Sequence, residues 1–269
     1  MMRAASYISF GERALRLVMP ILALAVAIGL WEGIVRYYEL PPYILPSPTL
    51  VFETLKSDWG TLSESLLVTL RTTALALLLA VVGGVLLALL FASSRLVELS
   101  LFPFAVILQV TPIIAIAPLL LIYLEPQTAV LVCAWIVAFF PILSNTALGL
   151  ASVDRNLREL FELYGANRWK TLFLLRMPAA LPYFLGGLRI AGGLALIGAV
   201  VAEIAAGTAG RGSGLAYRIV ESGYRLNVPR MFAALLLISL AGIAIFALLT
   251  LIQHLTLRRW HESALDRES

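Results

Sequence analysis

The chain has 269 residues, of which 61% are apolar and only 13% charged, and its formal net charge is +4. Soluble domains contain roughly 45–50% apolar residues, so this composition excludes an ordinary soluble protein. Only helices or closed barrels can span a membrane, because lipid offers the backbone no hydrogen-bond partners. The apolar runs are too long for barrel strands, so the sequence predicts an all-α integral membrane protein with one membrane domain over residues 1–269.

Six segments are apolar over the roughly 20 residues that a transmembrane helix needs. They cover residues 17–35, 66–91, 101–124, 128–150, 181–206 and 231–255. The first follows Arg3, Arg13 and Arg16, as the apolar region of a signal peptide follows its basic residues, but no small-residue cleavage site comes after it. We therefore expect a retained first span and about six transmembrane helices.

The basic residues favour an orientation with both termini in the cytoplasm. In that orientation, 12 of the 20 Lys and Arg residues lie on the cytoplasmic side and 6 on the outer side, with Arg71 and Arg189 inside spans. Cytoplasmic loops of membrane proteins carry such an excess. A nucleic-acid-binding protein would instead gather these residues on one polar face. We expect a multi-pass protein that binds no nucleic acid.

Two long connections lie on the outer side in this topology, residues 36–65 and 207–230. The first contains PPYILPSP, and X-Pro steps force extended or turn geometry before a predicted interfacial helix at residues 48–59. The second has glycines at 210, 212 and 214, but neither the G-x-G-x-x-G spacing nor a G-K-[ST] sequence of nucleotide-binding loops. We predict a turn followed by a second interfacial helix at residues 215–224.

Three ionisable residues, Arg71, Arg189 and Glu203, lie within or at the edge of apolar runs. Such residues normally face the bundle or a water-filled cavity. About 21 Å separates Arg189 from Glu203 along one helix at 1.5 Å per residue, which excludes a salt bridge between them. We predict that Glu203 pairs with Arg71, as a structural ion pair or as a gate or substrate contact. Arg189 is compatible with attraction of an anion.

Small residues accompany the two charges of the fifth span. Gly192, Leu196 and Ala199 fall on the same helical face as Arg189 and Glu203 at about 100° per residue. Small residues permit close helix contact, so this face is predicted to point toward the pore or a partner subunit. Other polar residues deep in apolar runs either line a translocation path or form interhelical hydrogen bonds. These are Gln109, Thr111, Asn145 and Thr146.

The stretch ELFELYGANRWKTLFLLRMPAALP, residues 159–182, is a polar island on the cytoplasmic side. Helix formers precede Gly165, and Asn167 is suited to cap a second helix over residues 168–176. Pro178 and Pro182 are predicted to end that helix and to begin the next span. Spacing alone leaves two interpretations open: a solvated loop with basic residues, or a rigid handle for a partner.

The island resembles the cytoplasmic signature loop of binding-protein-dependent ABC importer permeases. That motif is E-A-A, three residues, G, nine residues and I-x-L-P. Glu159, Gly165 and Pro178 match it at the required spacing, while the alanines, isoleucine and leucine are replaced. The segments ILPSPTLVFETL, FFPILSNTALGLASVD, GGLRIAGG and VVAEI resemble the branch that handles nitrate, sulfonates, taurine and thiamine precursors. IYLEPQTAV departs from that branch, which often has an aromatic residue and a glycine-rich turn there.

The resemblance implies a type I ABC importer permease fold in a bacterial inner membrane, and a subunit that works as a homodimer. A cytoplasmic ABC ATPase subunit would hydrolyse ATP and dock on the loop at about 151–182, while an extracytoplasmic solute-binding protein would deliver a small anionic or heterocyclic solute. This chain itself would bind no cofactor and would not be an enzyme. The docking-loop residues are Glu159, Gly165, Ala166, Arg168, Trp169 and Pro178. Glu159 would either contact the ATPase or shape the loop.

Two other functions are considered. A self-contained secondary transporter would need coupling-ion carboxylates near the midplane, and none is clearly placed there. A membrane-embedded enzyme would need a convergent nucleophile, base and metal ligands. Cys133 is the only cysteine, which excludes a disulfide within the chain. His254 and His261 have no carboxylate or cysteine cluster beside them in the sequence, so no metal site is predicted.

Overall fold

The computed structural model describes residues 10–207 and 212–258, and within these ranges the ordered elements are all helical. Helices α7 (Arg155–Leu163) and α8 (Arg168–Thr171) lie at one end of the bundle, here called the loop end. Helices α2 (Pro48–Ser57) and α10 (Leu215–Tyr224) lie at the opposite end. The helices are α1 (Phe10–Tyr37), α2 (Pro48–Ser57), α3 (Trp59–Ser93), α4 (Arg95–Val110), α5 (Ile113–Tyr123), α6 (Pro126–Ala151), α7 (Arg155–Leu163), α8 (Arg168–Thr171), α9 (Met177–Ala206), α10 (Leu215–Tyr224) and α11 (Val228–Leu257).

In residues 10–207 and 212–258, five helical stretches are long and apolar enough to cross a membrane, and a bent pair brings the number to six. The sequence predicted a third span over residues 101–124, and the structure has the pair α4 and α5 there, bent by 101°. The bend is a feature that the apolar run alone did not indicate. The break is at Thr111 and Pro112, both of which have extended backbone. Pro112 has no amide hydrogen to continue the ladder of α4, and proline pushes the residue before it out of the α region.

Helices α3, α6 and α9 form the centre of the bundle, and small residues set their spacing. A side chain at Gly198 of α9 would meet the Ala134 backbone of α6 at 2.9 Å, and one at Gly84 of α3 would meet Ile142 at 2.8 Å. Helices in membranes associate mainly by close packing, which small residues allow. Cys133 of α6 is buried in a cluster with Ala117 of α5 and Ala202 of α9.

The opposite end is closed by a smaller apolar cluster. Val51 of α2, Leu62 of α3, Leu215 of α10 and Leu237 of α11 are buried together there, with Trp31 of α1 packed against them. The two short helices predicted at residues 48–59 and 215–224 are thus confirmed. Ser47 caps α2 by accepting a hydrogen bond from the Leu50 amide at 3.2 Å. These helices hold the ends of three long helices together.

Candidate functional site

The polar island forms two helices joined by a fixed turn. Helix α7 ends at a left-handed residue, Gly165, with φ +69°. The Gly165 amide donates to the Glu162 carbonyl at 3.0 Å, and the Ala166 amide donates to the Phe161 carbonyl at 2.9 Å. This pair of bonds is the Schellman motif, which satisfies the last carbonyls of a helix and favours glycine at its left-handed position. The turn is therefore rigid, and its shape depends on Gly165.

Hydrogen bonds also fix the beginnings of both helices. The Asp154 carboxylate accepts from the Asn156 amide at 2.7 Å. The Asn167 side chain accepts from the Lys170 amide at 2.8 Å, so the predicted cap is confirmed. Glu159 accepts from Arg155 one turn before it at 2.8 Å, with both side chains exposed. Within the chain Glu159 thus has a partner, and the carboxylate is still open to solvent.

The loop exposes apolar side chains among its charges. No residue of α7 or α8 is buried. Leu160 of α7 is 45% exposed, and Leu163 and Tyr164 at the turn are 85% and 83% exposed. Trp169 and Phe173 are also exposed, with their rings stacked at 6.1 Å. Exposed apolar patches rimmed by polar residues mark interaction sites.

The connection from the loop to the next span differs from the sequence prediction. Pro178 and Pro182 were expected to separate a helix at 168–176 from that span, and this is wrong. Helix α8 continues through one π-helical turn, Leu172–Arg176, into α9. A π turn adds a residue to the helical ring, and this relieves the clash between a proline ring and the carbonyl four residues before it. Helix α8, the π turn and the 30-residue α9 therefore form one continuous helical rod.

Arg176 ties this rod to another helix. Its guanidinium donates to the Ala92 carbonyl, near the end of α3, at 3.1 Å. Beside it lies an open cleft of about 530 Å³ between the end of α3 and the loop. Arg158, Glu162 and Arg168 line this cleft along with Trp169. A displacement of the loop would thus be transmitted to both α3 and α9.

The predicted ion pair between Arg71 and Glu203 is wrong. Glu203 is only 5% exposed, and it accepts from the Thr69 hydroxyl at 2.8 Å and from the Ala216 amide at 3.1 Å. The Thr69 oxygen in turn accepts from the Leu215 amide at 2.9 Å. Glu203 and Thr69 therefore cap α10. Arg71 is exposed and makes no ion pair within the part of the chain that the structure describes.

The face of α9 that carries Arg189 and Glu203 does not point away from the chain, so that prediction is wrong as well. Leu196 and Ala199 are buried inside the bundle. A side chain on Gly192 would overlap Leu249 of α11. Arg189 itself is half-buried, with its guanidinium 5.7 Å from the Phe246 ring centroid of α11. This face is the contact between α9 and its neighbours in the same subunit.

The other predicted polar residues are scattered. Asn145 donates to the Pro141 carbonyl at 2.8 Å, and Thr111 donates to the Ile107 carbonyl at 2.6 Å, each within its own helical segment. Thr146 is buried, and its hydroxyl has no hydrogen-bond partner among the described residues. Gln109 is exposed at the end of α4. They do not form one cluster with Arg71, Arg189 or Glu203.

The described residues contain no group of three or more His, Cys, Asp or Glu side chains suited to a metal ion. His254 lies in the last turn of α11. His261 and Gly210 lie outside the described residues. The expectation of no metal site stays a prediction.

Sequence reasoning missed the residues that build the cap of α10. Thr69 is an uncharged residue two positions before the more conspicuous Arg71. Gly214 was assigned only to a turn, yet a side chain there would overlap the Glu203 carboxylate. The sequence did offer a signal: a glycine lies just before an apolar helix start, and an acidic residue lies 11 positions earlier in an apolar run. Arg218, which donates to Ser65 of α3 at 2.9 Å, was also missed.

Comparison with known proteins gives a consistent result. Residues 80–261 match the family described as binding-protein-dependent transport system inner membrane component. The formylaminopyrimidine transport permease protein ThiX of Halalkalibacterium halodurans is 34% identical, covering 91% of this chain and 97% of that protein. The riboflavin transport system permease protein RibX of Chloroflexus aurantiacus is 34% identical, covering 92% of this chain and 93% of that protein.

Weaker matches, at 26–29% identity, are named as permeases for aliphatic sulfonates, taurine and nitrate, which confirms the branch expected from the sequence. A crystal structure of an amino acid ABC transporter superposes with a TM-score of 0.63 at 18% identity, over 76% of this chain and 97% of that one. At that identity the likeness concerns the fold, and it confirms the expected permease architecture.

Proposed function

The chain belongs to the family of inner membrane components of binding-protein-dependent transport systems, and from this premise we propose that residues 151–182 are where an ATPase subunit docks. The chain is a multi-pass permease subunit of an ABC importer in a bacterial inner membrane. ATP hydrolysis on a separate subunit would drive the cycle, and this chain would need no cofactor of its own. Glu159, Gly165, Ala166, Arg168, Trp169 and Pro178 would belong to the docking loop or to its continuation into α9.

One observation carries the docking proposal: α7 exposes Leu160, Leu163 and Tyr164 although it is held rigidly by caps and by the Schellman turn. A solvated polar loop without a partner would need neither the exposed apolar side chains nor the rigid turn. Rigidity lowers the entropy lost on binding, and apolar anchors surrounded by charges form the core of an interface. Because α8 is continuous with α9, a partner that moves the loop would move the span.

The docking proposal is tested by co-purification of the ATPase subunit with a Leu163→Asp variant. Leu163 is 85% exposed, so the variant should reach the membrane at normal levels and lose the ATPase. Leu78→Asp is unsuitable as a control because that exposed residue lies in a span. Leu226→Asp, which makes the same change at a leucine that is 72% exposed between α10 and α11 at the opposite end, is the matched control. Retention of the ATPase by Leu163→Asp would contradict docking at the turn.

The solute is proposed to be a small heterocycle. Support comes from the two named relatives at 34% identity, which are permeases for formylaminopyrimidine and for riboflavin, whereas those named for sulfonates, taurine and nitrate match at 26–29%. An extracytoplasmic binding protein would deliver the solute to the end formed by α2 and α10. Mass spectrometry of the ligand retained by the binding protein encoded beside this chain tests the assignment.

We further propose that two copies of the chain form the pathway, with both termini in the cytoplasm. Helix α1 supports this: only 6% of its membrane-spanning window is buried within the chain, so most of its apolar surface is open to lipid or to a second copy. The excess of basic residues on the side of the loop end supports the orientation with both termini in the cytoplasm. Native mass spectrometry of the complex should find two permease chains, and a single permease chain, or one paired with a different permease, would contradict the proposal.

A further inference from the structure

The break between α4 and α5 leaves polar backbone groups without partners among the described residues. Pro112 cannot donate, and neither the Ile113 nor the Ile114 amide donates a hydrogen bond to any described residue. The carbonyl groups of residues 108–111 accept none from the described residues. Six main-chain groups at the break are therefore unsatisfied by the part of the chain that the structure describes.

These groups lie at membrane depth. Helix α5 begins directly after the break, and its Ala117 is buried in one cluster with Val130 and Cys133 of α6. Val130 and Cys133 lie about 6 and 10 Å from the start of α6 at 1.5 Å per residue. Helix α6 is about 39 Å long and the hydrocarbon core is about 30 Å thick, so a centred α6 extends only about 5 Å beyond the core at each end. The segment at the break therefore lies inside the core.

Gln109 marks the side on which the break opens. It lies four residues after Ala105, within about 40° on the same helical face. Ala105 is packed against the bundle and is only 3% exposed, yet Gln109 is exposed. One turn after Ala105, the same face of α4 is therefore no longer covered by the described part of the chain. Ile107, about 160° away on the opposite face, points outward and is 56% exposed.

We propose that the break at Thr111 and Pro112 lines the translocation path and contacts the solute, an inference that rests on the permease function proposed above. Irregular backbone is tolerated in a bilayer only where it is covered by protein or lines a water-filled cavity. Four free carbonyl groups and an uncharged amide side chain suit a neutral solute with N–H donors, such as an aminopyrimidine or another nitrogen heterocycle. Gln109 is the side chain that would contact this solute.

The test uses the single native cysteine. In a Cys133→Ala background, Gln109→Cys and Ile107→Cys are compared in the complete complex, reconstituted in nanodiscs. The probe is a charged, membrane-impermeant methanethiosulfonate reagent. Because the thiolate is the reactive form and needs water, we expect Gln109→Cys to be labelled at least about tenfold faster than Ile107→Cys. Thr111→Cys provides a second position if Gln109→Cys does not assemble.

Labelling should also abolish uptake in reconstituted Gln109→Cys complexes and spare it in Ile107→Cys complexes. Equal labelling rates at the two positions would overturn the proposal, as would an unreactive Gln109→Cys that forms a disulfide with a second copy of the chain, since the break would then be covered by that copy. Uptake by the Cys133→Ala complex before labelling tests the permease function separately, so failure of the lining proposal is distinguishable from failure of the function.

Discussion

Replacing Gly165 tests whether the shape of the turn, and not merely its sequence, holds the ATPase. Gly165 has φ +69°, and a side chain built there would meet nothing within 4 Å. The penalty for another residue is therefore conformational and not steric. For a β-branched residue in the left-handed region it is about 2 kcal/mol. Asparagine tolerates this region far better than other non-glycine residues, so Gly165→Asn is the matched control.

The magnitude follows from the population of the docking conformation. A penalty of about 2 kcal/mol lowers the ratio of docking to other conformations roughly 30-fold, so the apparent Kd for the ATPase rises by up to that factor. Gly165→Val should show a loss approaching this limit, while Gly165→Asn should stay within about threefold of the unmodified chain. Titration of the ATPase subunit onto permease in nanodiscs, followed by light scattering or fluorescence anisotropy, measures both constants. An unchanged Kd for Gly165→Val would contradict a conformational role of Gly165, and so would an equal loss for the two variants.

Three further predictions concern the cap of α8 at the loop end, and the cap of α10 and the ion pair between Arg218 and Glu221 at the opposite end. Asn167→Ala removes the cap of α8 and should cost about 1 kcal/mol of local stability, seen as faster hydrogen exchange at Lys170, whereas Asn167→Asp should keep the protection. Thr69→Val leaves the Leu215 amide unpaired and should lower stability by about 1–3 kcal/mol, with Thr69→Ser as the control, and unchanged exchange of the α10 amides would contradict the cap. The Arg218 side chain, hydrogen-bonded to Glu221, lowers the pKa of that carboxyl below its ordinary value of 4.5, so this pair stabilises the fold above that pH and is lost as the pH falls through the lowered pKa. Stability against thermal unfolding in detergent should therefore fall below about pH 4.5, and the fall should be smaller in Glu221→Gln. An identical pH profile for the two proteins would show that the pair has no role.

The sequence predicted those features that follow from local pattern. Apolar length located the spans, and the turn chemistry of Gly165 and Asn167 predicted the helix-turn-helix correctly. Short amphipathic segments after prolines and glycines predicted α2 and α10. Each of these signals lies within a few residues of the element it specifies, which is why no tertiary information was needed.

The errors arose where the outcome depended on distant contacts. Pro112 broke a span that hydropathy alone makes continuous, while Pro178 failed to break one because a π turn accommodates it. The sequence predicted a pair between Glu203 and Arg71 because both are charged residues in apolar runs. The buried carboxylate instead accepts hydrogen bonds from a hydroxyl and from an amide at the start of a helix. Those partners are 134 and 13 residues away, and they are uncharged, so no charge pattern in the sequence indicates them.

We propose that the loop at residues 151–182 couples an ATPase to transport, and uptake by proteoliposomes that contain the permease, its ATPase subunit and its binding protein with bound ligand tests this coupling. With Leu163→Asp, we expect loss of ATP-dependent uptake together with loss of ATPase binding, whereas Leu226→Asp, at the opposite end, should bind the ATPase normally. Undiminished ATP-dependent uptake by Leu163→Asp, or uptake by the unmodified permease without any ATPase subunit, would contradict the coupling.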